Sequence, residues 1–98
     1  PWRARKEAYI AHLQHATASE LLVSAADKLH NARSILADYR RVGEKLWQHF
    51  NGGKAGTLWY YRALIQALGE SGPALLTEEL ARVLSEIERL VRAKQAGE

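Results

Sequence analysis

The chain has 98 residues, a net charge of +3 with histidine neutral, and 47% hydrophobic against 26% charged residues. That make-up suits one small folded domain and excludes a disordered segment. With no cysteine at all, disulfides, thiolate zinc sites and thiol catalysis are excluded as well.

The apolar period is helical throughout, and no alternating β-run competes with it. Trp2, Tyr9, Ile10 and Leu13 mark a first helix over about residues 2–15. "TASE" (Thr17 to Glu20) reads as a capping box, in which the Thr17 hydroxyl accepts from the Glu20 amide and the Glu20 carboxylate accepts from the Thr17 amide. A long second helix follows to about Arg41, with an expected core stripe of Leu22, Ala25, Leu29, Ala32, Leu36 and Tyr39. Val42 and Gly43 break it. A short helix over about Glu44 to Phe50 ends in "NGG" (Asn51 to Gly53), residue types that tolerate the left-handed conformation of a helix C-terminus. A fourth helix is expected from about Leu58 to Leu68, then a linker "GESGP" (Gly69 to Pro73). The last helix starts near Ala74 or Thr77, with Glu78 and Glu79 favourable at its positive end. Its stripe of Leu76, Leu80, Val83, Leu84, Ile87, Leu90 and Val91 is the cleanest in the chain. The expectation is an all-α helical bundle of about five helices, one unit over residues 1–98.

Several polar groups invite a functional reading, each beside a plainer one. "NGGKAGT" (Asn51 to Thr57) carries glycines and Lys54 but departs from the phosphate-loop pattern and follows no strand, so it reads as a helix–helix connection. His12 and His15 have a spacing that can hold a metal, without a third ligand nearby in sequence; exposed histidines near a helix end are the preferred reading. His49 reads as a surface residue or as one packed beside Trp47 and Phe50. In "LWYY" (Leu58 to Tyr61), Trp59 and Tyr60 point about 100° apart on a helix, so one of them faces away from the Leu64/Leu68 stripe. Asp27, Asn31, Ser34 and Asp38 form a polar stripe opposite Leu22, Leu29 and Leu36. Periodicity alone reads that stripe as a solvated face. No basic tract marks a nucleic-acid surface, no apolar run approaches the roughly 20 residues that span a bilayer, and no signal peptide is visible, so a cytoplasmic protein is expected.

The segment "AADKLHNARSI" (Ala25 to Ile35) is more specific than its period. It resembles the last motif of the HD-domain metal-dependent phosphohydrolases, and within them the hydrolase domain of RelA/SpoT-type alarmone proteins, with their A-D-[KR]-L-x-N-x-R pattern on a long helix. "RARKEAYIAHL" (Arg3 to Leu13) resembles the basic helix just upstream of that motif, and "LWQHFNGGKAGTLWYYRALIQAL" (Leu46 to Leu68) the segment downstream. The likeness covers about residues 2–70, leaving residues 74–96 as a C-terminal amphipathic helix.

The resemblance implies that Asp27 is the last protein ligand of a single divalent metal, Mn²⁺ in the alarmone branch. It implies that Asn31 contacts the nucleotide, that Tyr60 lies near the substrate, and that Arg33 braces the helix. The implied activity is hydrolysis of a nucleotide polyphosphate by metal-activated water, removing the 3′-pyrophosphate of a guanosine polyphosphate in that branch. The family's earlier His, His-Asp pair and acidic pair have no counterpart in this chain. These residues are therefore expected to be the C-terminal half of an HD domain, inactive alone, with an N-terminal half to cover the Asp27 stripe. A start at Pro1 with no methionine in the chain agrees with a processed start or a piece of a longer protein. The other reading is an inert helical binding module that keeps the fold, with the Leu76–Val91 helix available to a second copy.

Overall fold

A computed structural model describes residues 1–97. Four α-helices, α1 (Trp2–Leu13), α2 (Ala18–Val42), α3 (Gly53–Ser71) and α4 (Ala74–Ala96), with one 3-10 helix (Gly43–His49) between α2 and α3, make up the all-α bundle, and no strand occurs among the described residues. The molecule measures 44 × 31 × 18 Å. Its short axis is under two helix diameters of about 10–12 Å each, so the bundle is two layers deep at most.

The capping box forms as the sequence predicts. The Glu20 amide donates to Thr17 Oγ1 at 3.1 Å and the Thr17 amide to Glu20 Oε1 at 2.8 Å. The hydrogen bond from the Thr17 backbone holds the Glu20 carboxyl below its ordinary range. At the far end of α2, Gly43 takes φ +68°, a conformation that side-chain-bearing residues rarely adopt, and so turns the chain out of the helix.

The core stripe of α2 differs from the expected one by a rotation. Leu21, Ser24, Ala25, Leu29, Ala32, Ile35 and Tyr39 are buried, whereas Leu22 is 51% exposed and Leu36 only half-buried. The packing partner sets this choice. Helix α2 pairs most extensively with α4, whose Leu80, Val83, Leu84, Ile87 and Val91 are all buried. Leu64, Leu68, Leu80 and Ile87, from α3 and α4, are the largest fully buried side chains, and Ala25 and Ala32 of α2 are as dry.

Two expected boundaries move. Helix α3 starts at Gly53 rather than Leu58, so most of the segment read as a connection is its first turns. Tertiary contacts override the weak helix propensity of the glycines there. Lys54 is held by Glu44, Thr57 is buried, and the Trp2 ring packs against Gly52 and Gly56. The same helix runs through Gly69 and Glu70 to Ser71, which leaves only Gly72 and Pro73 as linker. Because α4 begins at Ala74, Glu78 and Glu79 fall in its second turn rather than at the positive end. Glu79 pairs instead with Arg82 at 2.9 Å and with Arg33 at 3.7 Å.

Glu44 ties three elements together. It accepts from Tyr39 Oη at 2.6 Å, Trp47 Nε1 at 3.4 Å and Lys54 Nζ at 2.8 Å. Burial alone would push its carboxyl up, but the hydrogen bonds from Lys54, Tyr39 and Trp47 outweigh that and hold it below the ordinary value.

Candidate functional site

Asp27 stands on α2, between two hollows. Its side chain is 56% exposed, and its Oδ2 accepts from Lys28 Nζ at 3.2 Å and from Asn31 Nδ2 at 3.4 Å. Asn31 lies one turn on, at the i, i+4 spacing that makes helix side chains neighbours, whereas Lys28 is the next residue along the chain and reaches back to Asp27 through its long stem. Ser34 and Asp38, the rest of the polar stripe, engage locally with the His30 carbonyl and with Arg41.

On one side of Asp27 a groove of about 460 Å³ runs between α1 and α2, with Tyr9, His12, Leu13, Val23 and Ser24 among its walls. In its wall the Tyr9 and Ser24 hydroxyls share a 2.5 Å hydrogen bond. The groove is open and mainly apolar as a whole, and Val23, the one apolar residue of α2 that lines it, is 68% exposed.

On the other side is a smaller cleft of about 170 Å³, where α1, α2 and α3 meet. Lys6, Lys28, Asn31, Tyr60 and Tyr61 line it, with the Trp2 ring as one wall. Lys6 Nζ sits 4.6 Å over the Tyr60 ring, and Lys28 Nζ 4.9 Å over the Tyr9 ring. Burial, then the charges of Lys28 and Arg5, pull the Lys6 ammonium below its ordinary range. Two lysines line this cleft, and the Asp27 carboxylate, which lines the neighbouring groove, is bonded to one of them and its charge still reaches Tyr60 and Tyr61. Two ammonium groups against one carboxylate leave a net positive charge that suits an anion. Burial, then Tyr9 and Tyr61, push the Tyr60 phenol up to about 12, so at neutral pH it is a hydrogen-bond donor and not a base.

Of the residues singled out in the sequence, Asn31 and Tyr60 line the same cleft, while Asp27 lines the adjoining groove. Tyr60 is buried and Trp59 half-buried, capped by the Arg3 guanidinium 3.4 Å from its ring centroid. Sequence reasoning missed Lys6 and Lys28 as a pair. They are 22 positions apart (28 − 6) on different helices, and only the packing of α1 brings them to one cleft. Lys54, the lysine of the glycine-rich segment weighed against the phosphate-loop pattern, is committed to Glu44. His12 lies 3.7 Å from Glu20 across the α1–α2 turn, and His15, His30 and His49 are exposed.

The donor set of these residues does not fit a metal ion by itself. Among the described residues no group of three or more His, Asp or Glu side chains converges. Asp27 is a single carboxylate with an ammonium already beside it, and a hard divalent ion needs several oxygen or nitrogen ligands. No protein-family model matches the chain, and no curated protein matches it. No helix of the described residues is long and apolar enough to cross a membrane.

Proposed function

We propose that this chain is the substrate-holding, C-terminal part of an HD-type phosphohydrolase acting on a nucleotide polyphosphate, with a guanosine polyphosphate 3′-pyrophosphate as the favoured substrate. One observation carries the reading. The motif residues Asp27 and Asn31 stand at the edge of a cleft with two lysines, a phenol donor and aromatic walls, the chemistry that receives phosphate oxygens and a base. In this reading Lys6 and Lys28 meet phosphate oxygens, Asn31 hydrogen-bonds the nucleotide, and Tyr60 donates from the cleft wall. Water adds to phosphorus, the P–O bond to the 3′ oxygen breaks, that oxygen takes a proton, and pyrophosphate leaves. The divalent metal of the family, Mn²⁺ by resemblance, belongs to the proposal only for a complete domain in which other ligands join Asp27. The open apolar groove with Val23 beside Asp27 is where an N-terminal half would pack.

The test is pyrophosphate release from guanosine tetraphosphate by the full-length gene product with Mn²⁺, beside the 98-residue chain alone. Activity of the full-length protein, lost in Asp27→Ala and absent from the isolated chain, is the expected result. A full-length protein without turnover on any nucleotide 3′-pyrophosphate sinks the proposal. The second reading, an inert helical binding module, then takes its place. It is favoured by one observation, the Lys28 ammonium that already neutralises Asp27.

A further inference from the structure

Helix α1 is the least embedded element of the bundle. Leu13, at its last turn, is its only buried residue, and its packing is chiefly against α3. At its other end the half-buried Trp2 ring meets Trp59 and Tyr60 edge-on, with centroids 6.2 and 6.5 Å away. The same ring lies against the backbone of Gly52 and Gly56. A methyl group on Gly52 would overlap it, and one on Gly56 would come within 3.0 Å. The notch thus exists because both positions lack a Cβ. Lys6 follows Trp2 by one helical turn on the same face, so where the indole sits decides where the Lys6 ammonium sits.

We propose that Trp2 is a positioning residue: its indole, seated in the Gly52/Gly56 notch, latches α1 onto α3, and filling the notch frees α1 as a unit and withdraws Lys6 from the cleft. Gly52 has φ −83° and ψ −4°, which alanine adopts without strain, so a Gly52→Ala effect arises from the overlap with the ring and not from the backbone. Hydrogen exchange followed by mass spectrometry on the full chain tests this with Gly52→Ala, Trp2→Ala and the double variant. The expected result is exchange across α1 faster by about tenfold or more in each single variant, with the protected amides of α2 and α4 unchanged. The double variant should exchange no faster than Trp2→Ala alone. A silent Gly52→Ala, an undiminished Gly52→Ala effect in the Trp2→Ala background, or acceleration spread through α2 and α4 would each overturn the latch. Its consequence for binding rests on the polyphosphate reading and has a separate readout: inorganic pyrophosphate should slow α1 exchange in the unmodified chain and lose that effect in Gly52→Ala, and slowing retained in Gly52→Ala would overturn the withdrawal of Lys6. Trp2–Gly52 coupling without slowing in the unmodified chain supports the latch and overturns the anion role of the cleft.

Discussion

Lys28 Nζ lies 3.2 Å from Asp27 Oδ2, so the carboxylate proposed for a metal ion already has a cation of its own. The Lys28 side chain is largely covered but Asp27 is more than half exposed, and a pair with one partner so open to water contributes about 0–1 kcal/mol. Asp27→Asn should therefore leave the melting temperature of the chain within about 4–8 °C of the original, the shift that about 1 kcal/mol produces at this size. The same substitution should abolish pyrophosphate release by the full-length protein. Calorimetry and a pyrophosphate assay on the one variant separate the two roles: a large loss of stability would make Asp27 a structural residue.

Asn31 contributes one amide to the cleft and one hydrogen bond of 3.4 Å to Asp27. Loss of a single hydrogen bond to a ligand costs about 0.5–1.5 kcal/mol, or roughly 2- to 13-fold in affinity. Asn31→Ala should weaken guanosine polyphosphate binding by about that factor and leave Mn²⁺ affinity of the full-length protein unchanged. Titration calorimetry with each ligand separately reads the difference.

Glu44 predicts an acid response. Its folded-state carboxyl titrates below its ordinary value of 4.5, so the stability it supplies is full above that value and is lost as pH falls through the lowered one. Glu44→Ala removes the acceptor of three donors and should cost about 1–3 kcal/mol near neutral pH. Urea unfolding should show the gap between variant and parent narrowing as pH is lowered below the ordinary carboxylate value.

Leu21 and Leu22 are adjacent, yet one is 3% and the other 51% exposed. Leu21→Ala should cost about 2–5 kcal/mol, and Leu22→Ala no more than about 0.5 kcal/mol, in the isolated chain. If an N-terminal half covers the groove, Val23→Ala should be more costly in the full-length protein than in this chain. Equal costs in the two settings would leave the groove uncovered.

The all-α class, the capping box at Thr17 and Glu20, the break at Gly43 and the stripe of α4 were legible in the amino-acid sequence. Each rests on interactions between residues a few positions apart, which periodicity and local hydrogen bonding report directly. The i, i+4 pairing of Asp27 with Asn31 was legible for the same reason. Tertiary structure alone decided the rest. It buried Leu21 in place of Leu22, because the direction in which α4 packs selects among overlapping apolar stripes on α2. It carried α3 back to Gly53, because Trp2 and Glu44, distant in sequence, hold residues of low helix propensity in place. It also joined Lys6 to Lys28, Asn31 and Tyr60 in one cleft while placing Asp27 in the groove beside it. Such convergence depends on how whole helices dock, and the spacing of residues along a single helix does not encode it.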